Sequence, residues 1–250
     1  MSIEKLNIYT AKQACINRLE ELILSGELKI GARLPAERDL AARLGISRPV
    51  LHEALVDLAA KGLVQIAPRR GVFINDFRTY GSIAILESLL SYHNGSLDPA
   101  MLQSMLAMRM LLETETARLA ALNHKPEHLK ILQDILIQEQ QTEPGDTEQR
   151  TQLDFSFHLQ VAVASENLVY PMIINSFKAV YTNLTGKFFA AYANSAVIVQ
   201  VFEYHSLLVK AIQQRDPHSA STIMGEMLQH GEQNLRAVYY KEHEHVYHHA

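Results

Sequence analysis

The sequence predicts a mainly α protein in two parts: an N-terminal winged helix-turn-helix unit with a small β-hairpin, then a longer all-α helical bundle. Three observations carry this. Up to Lys61 the apolar residues recur at helical spacing and are punctuated by Gly26, Gly31, Gly45 and Gly62. From Leu63 to Ile74 the pattern becomes strand-like on either side of Pro68-Arg69-Arg70-Gly71. From about Ile83 onward helical segments follow one another with only short interruptions. A chain of 250 residues is also more than one hydrophobic core usually organises, which fits two domains.

Each element has its own reason. Thr10 is a natural cap for a first helix from Ala11 to Ser25, in which Ile16, Leu19, Leu22 and Ile23 share a face before Gly26 stops it. Pro35 is expected to start the second helix, whose stripe is Leu40, Ala41 and Leu44 and whose end is Gly45-Ile46. Ser47 is the expected N-cap of a third helix to about Lys61, with Leu51, Leu55 and Leu58 on one face. Two short helices joined by a glycine turn form the helix-turn-helix pattern, and the hairpin adds a wing. Beyond it the expected helices run over 101–122, 126–141, 151–165, 170–192, 197–214 and 217–240, separated by turns such as Pro144-Gly145-Asp146 and Arg215-Asp216-Pro217. The expected division is a head over 1–76, a linker over 77–82, a helical domain over 83–242 and a histidine-rich tail over 243–250.

Composition narrows the function. With 48% hydrophobic and 20% charged residues the chain is globular, which excludes disordered and collagen-like classes. The net charge of −4 hides a division: up to Tyr80 there are 12 Lys and Arg against 9 Asp and Glu, and thereafter 11 against 18. A basic head precedes an acidic body. Cys15 is the only cysteine, no apolar run reaches the roughly 18 residues that span a bilayer, and the N-terminus does not read as a signal peptide. A cytoplasmic protein without a membrane partner is expected.

The head's cations lie where DNA would need them. Arg48 and His52 are one turn apart on the third helix, Arg38 comes from the second, and Arg69-Arg70 form the wing tip. An arginine fork matches guanine O6/N7 or a phosphate. The alternative is a solvated charged face.

The run Leu34-Pro35-Ala36-Glu37-Arg38-Asp39-Leu40-Ala41, followed by Gly45-Ile46-Ser47-Arg48 and the wing, resembles the N-terminal domain of GntR-family bacterial transcription regulators. Asn75-Asp76-Phe77, Ile85-Leu86-Glu87, Val180-Tyr181 and Phe188-Phe189 extend the similarity to the FadR subfamily, whose helical C-terminal domain binds an effector. The resemblance implies DNA contacts at Arg38, Ser47 and Arg48, with Arg69 and Arg70 in the wing. Two positions depart from the family pattern: His52 stands where arginine is common, and Arg69 where a wing glycine is usual. The resemblance also implies a homodimer on a palindromic operator.

Asp154 and His158, four apart, share a helical face, and His205 follows on a later helix. By themselves they read more readily as a hydrogen-bonded pair than as ligands of a borderline cation such as zinc or nickel. Many ligand domains of the subfamily hold a metal with an Asp and three His, and the resemblance matches the first three. The fourth falls on Met227, with His230 the nearest histidine. Arg109, one turn before Glu113, resembles the subfamily's effector-facing arginine and suits a carboxylate; an Arg–Glu pair on a helix surface is the plainer reading. Tyr181 is a further effector-contact candidate, although Tyr181 and Tyr204 read more readily as packing groups than as ligand contacts. The expected effector is a metal-linked organic acid, the alternative a fatty acyl-CoA in a metal-free pocket. A metal-dependent hydrolase is the competing class, but no phosphate loop, Gly-x-Gly-x-x-Gly or Gly-x-Ser-x-Gly is present and no catalytic residues assemble. His243, His245, His248 and His249 read as a frayed tail.

Overall fold

The computed structural model describes residues 10–93 and 95–247, with side chains through Tyr239. Contacts divide it into two compact units, ending and beginning at Leu97 and Asp98.

In the first unit α1 (Ala11–Leu24) packs on α3 (Arg48–Ala60) and α5 (Ile85–Tyr92), while α2 (Glu37–Leu44) packs on α3. Thr10 caps α1 by accepting from Gln13 N–H. The second helix begins later than Pro35, at Glu37: Ala36 is still extended at ψ 141°. That extension has a structural use. Gly31 donates to Ile74 O and Leu34 to Val72 O, so the approach to α2 pairs with the hairpin instead of entering a helix. The hairpin is β1 (Val64–Ala67) antiparallel to β2 (Gly71–Ile74), with Val64 opposite Ile74 and Ala67 opposite Gly71. Leu19, Leu51, Leu55, Leu58, Leu63 and Ile74 form the dry centre of this unit. Truncating a residue such as Leu55 to Ala there would cost about 2–5 kcal/mol.

The one-turn α4 (Phe77–Tyr80) lies within the expected linker. The sequence placed the helical domain from 83, whereas the contact division comes after Leu97. The cause is α5, which buries Ile85 in the head's own cluster. Ser88 of the same helix joins Glu20 and Lys61 in a buried network, with Lys61 Nζ 2.6 Å from Glu20 and Ser88 Oγ donating to Glu20 at 2.8 Å.

The second unit is entirely helical among the described residues. It comprises α6 (Pro99–Asn123), α7 (Pro126–Gln141), α8 (Thr147–Ala164), α9 (Tyr170–Ser176), α10 (Lys178–Tyr192), α11 (Ala196–Gln213) and α12 (Pro217–Tyr247). Asp98 and Asp146 cap α6 and α8 by accepting first-turn N–H bonds, which is why both start before the apolar periodicity does. The expected helix over 170–192 is two, broken at Phe177. The long α6 packs on α8, α11 and α12, and α8 packs in addition on α7, α9 and α10. Phe157, Leu208, Ile212 and Met224 fill the centre between them. No helix among the described residues is long and apolar enough to cross a membrane.

Candidate metal and effector site

The central cluster is assembled from five helices. Alternating with the core residues Leu153 and Phe157, α8 presents Asp154 and His158 one turn apart, and α11 brings His205 to them. One donor atom from each of the three lies within 4.8 Å of the others. His205 Nε2 is 3.7 Å and His158 Nε2 4.0 Å from Asp154 Oδ1. All three side chains are buried, and the His205 ring stacks on Phe157 at 3.8 Å.

Each is held from behind. His158 Nδ1 contacts the carboxylate of Glu113 on α6, and His205 Nδ1 lies 2.8 Å from Glu139 Oε1 on α7. Tyr181 on α10 donates to Asp154 Oδ2 at 2.8 Å. His205 is thus hydrogen-bonded at Nδ1 to Glu139 and His158 is in ion-pair contact at Nδ1 with Glu113, while His205 Nε2 is a buried nitrogen without a hydrogen-bond partner among the described residues. This arrangement fits a metal: a buried orphan nitrogen is costly unless something takes its lone pair, and ligating histidines are characteristically held at the other nitrogen by an acid. The N, N, O donor set suits a borderline divalent cation and leaves coordination positions for oxygen ligands.

Arg109 extends the cluster. Its Nε donates to Glu113 Oε1 at 2.6 Å, its Nη2 to Tyr181 Oη at 3.0 Å, and its Cζ lies 4.2 Å from the centre of the Tyr181 ring. The Arg–Glu pair expected on a helix surface exists, but inside the molecule. Burial pushes the Glu113 carboxyl up, yet Arg109 and His158 together bring it down to about 2. Burial likewise opposes charge on Arg109, and Glu113 and then Tyr181 outweigh it, raising the guanidinium. Burial lifts the Tyr181 phenol well above its ordinary value, with Arg109 opposing, so it stays a proton donor to Asp154. At His205 burial favours the neutral ring, and Glu139 more than offsets it.

Arg109, Asp154, His158, Tyr181 and Met227 line a cavity of about 50 Å³. Met227 therefore stands where the fourth histidine was expected. His230, three residues on, does not join the group: its Nε2 is 3.1 Å from Val197 O on α11, and its ring lies 6.0 Å from Tyr204. Residues three apart on a helix are turned by most of a turn but not a whole one, and Met227 and His230 lie on the one continuous α12, so the two side chains do not take the same place. The side chains of His243 and His245, and residues from His248, lie outside the described residues.

In the head, Arg38, Ser47, Arg48, His52, Arg69 and Arg70 are all exposed. Glu37 of α2 reaches α3, with its carboxylate 3.5 Å from Arg48 Nε and 3.3 Å from His52 Nδ1. Ser47 precedes α3 without capping it through its hydroxyl. Arg69 has φ 62°. Reasoning from sequence missed two supports of the central cluster. Glu139 sits in the polar run Gln138-Glu139-Gln140-Gln141, where nothing distinguishes it from solvated neighbours, and Glu113 was paired only with Arg109.

Residues 11–74 match the model of bacterial regulatory proteins of the gntR family, and residues 104–230 match the FCD domain. The chain is 33% identical to the HTH-type transcriptional regulator Mce2R of Mycobacterium tuberculosis, over 72% of this chain and 74% of that one. It is 29% identical to the Glc operon transcriptional activator of Escherichia coli, over 88% of this chain and 87% of that one. It is 34% identical to the fatty acid metabolism regulator protein of Yersinia enterocolitica, over 68% and 69%. Among solved structures, that of Lar from Listeria monocytogenes shares the fold, with a TM-score of 0.55 at 19% identity, covering 91% of this chain and 99% of that one. These relatives are regulators, and the hydrolase alternative falls with them. The winged head and the helical bundle are two parts of one transcription regulator, and the chain belongs to the GntR family with a C-terminal FCD effector-binding domain.

Proposed function

We propose that this regulator senses a small organic acid through a divalent metal held by Asp154, His158 and His205. Zinc or nickel suits the donor set. The observation that carries the reading is the pair of imidazoles fixed at Nδ1 by Glu113 and Glu139, with the unpartnered His205 Nε2 beside Asp154. The metal, when bound, offers a Lewis-acid position for an acid's oxygen. Arg109 supplies charge at the cavity wall: Nε and Nη2 are engaged by Glu113 and Tyr181, so a ligand carboxylate meets the remaining nitrogen. Tyr181 fixes Asp154 and borders the same cavity.

A cavity of about 50 Å³ holds a few waters or a compact acid. The similarity to the Yersinia fatty acid regulator favours a second reading, an acyl-CoA effector without metal. The small volume supports the first.

In the head we assign operator contact to Arg38, Ser47, Arg48, His52, Arg69 and Arg70, as a homodimer on a palindrome. Their exposure supports this, and Arg48 at 71% side-chain exposure opens the helix offered to the major groove. The domain assignment follows: head for DNA, FCD unit for effector.

Metal analysis tests the central reading. The chain truncated before His243, purified natively, should carry about one divalent ion per chain, and His158→Ala should lose it. A metal-free protein would transfer the assignment to the acyl-CoA reading.

A further inference from the structure

A second cleft, of about 550 Å³, opens in the helical unit between the α7–α8 loop and the start of α11. Arg150, Glu139, Glu143 and Phe202 line it. Arg150 is 7% exposed, forms no ion pair among the described residues, and is held by one hydrogen bond from Nη1 to Ala193 O at 2.9 Å. Its Nε is buried without a partner. A guanidinium taken out of water without a paired acid is costly: burial lowers its affinity for its proton, and the more distant charge of Asp146 offsets this only in part. The positive end of α11 opens on the same cleft: Ser195 turns its hydroxyl back to Tyr192 O, so no side chain caps that helix.

The opposite charge lines the same cleft. Glu139 is 2% exposed; its Oε1 holds His205, and its Oε2 is buried with no hydrogen-bond partner. A plain anion would satisfy Arg150 but meet Glu139 and Glu143, and a plain cation would meet the reverse. A molecule carrying both charges satisfies both walls. We propose that this cleft is a second ligand site for a small zwitterion of the α-amino-acid class, its carboxylate on Arg150 and the first turn of α11, its ammonium on Glu139. The side chain of such a ligand lies against Phe202, whose ring faces Arg150 at 5.5 Å. The site is distinct from the metal cavity: the two have no lining residue in common, and Glu139 links them only through its contact with His205.

Thermal shift on the full chain tests this. Each of the common α-amino acids is added at about 5 mM with chelator present, which removes metal–amino acid complexes as a cause. Acetate and ethylammonium carry one charge each as controls. At least one amino acid should raise Tm by about 2–4 °C, and neither control should. The rise should persist in His158→Ala, which disables the metal site, and vanish in Arg150→Gln. If Arg150→Gln does not fold by circular dichroism, Arg150→Lys carries the test, keeping the charge but losing the fork and most of the shift. A protein that no amino acid stabilises, an acetate response equal to the best amino acid, or a shift unchanged by substitution of Arg150 overturns the proposal.

Discussion

Arg69 occupies a left-handed conformation, φ 62°, at the wing tip where a glycine is usual in the family. For a residue with a Cβ that conformation costs about 1–2 kcal/mol, and the tip accepts it for a charge. Arg69→Gly should therefore leave the fold as stable or slightly more stable, while operator binding weakens and its salt slope falls by about one. Chemical denaturation and binding at several salt concentrations read the two effects, and a variant that loses stability would refute the strain account. Arg48 is different: it lies at the start of α3 with its Nε 3.5 Å from the Glu37 carboxylate. Arg48→Ala should cost about 1–3 kcal/mol on the specific operator and relax base preference at one position, measured against randomised duplexes. Glu37 was legible only as part of a family motif. Its hold on Arg48 and His52 depends on the angle between two helices, which no local pattern encodes.

Helices were read well wherever an apolar stripe or a capping residue marks them, as at Thr10, Gly45 and Gly62. Phe177 shows where that fails. No Gly or Pro marks the break between α9 and α10, which allows Ile174 and Tyr181 to enter one apolar cluster with Phe155 and Ala162. Packing decided it, not propensity. At the candidate metal site Asp154 and His158 on α8 were legible because i and i+4 share a face, whereas the carboxylates beside His158 and His205 come from α6 and α7 across long sequence separations. Register on α12 then decides between Met227 and His230. Glu139→Gln should lower metal affinity about 10–100-fold, because a neutral amide orients His205 less firmly and makes it a poorer donor. Met227→His, placing a third imidazole and a fourth protein ligand in the cavity that Asp154 and His158 border, should raise that affinity. Competition with a chromophoric chelator measures both, and a Met227→His protein with unchanged or weaker affinity would show that the three-ligand site does not extend toward α12.

Across the whole molecule, a regulator works only if its effector and its operator each bias the other's binding. Thermodynamic linkage makes the two effects equal: if acid and metal change operator affinity by some factor, operator must change acid affinity by the same factor. On the proposed reading, Arg109 is the residue at which effector chemistry enters this relation. A small acid draws much of its binding from charge, so Arg109→Ala should abolish its effect on operator binding while the metal, held by other side chains, remains. An acyl-CoA would draw most of its affinity from its chain at about 0.8 kcal/mol per buried methylene, and the same substitution would cost it little. Operator affinity is therefore best titrated with short carboxylates and with acyl-CoAs of increasing length, in wild type and Arg109→Ala, with and without chelator. The metal-linked reading expects a response to a short acid that disappears on chelation and on loss of Arg109. A response that rises steadily with chain length and ignores both would mean that the cavity between α6 and α12 opens into an apolar tunnel, and that the buried cluster of Asp154, His158 and His205 serves the packing of the bundle.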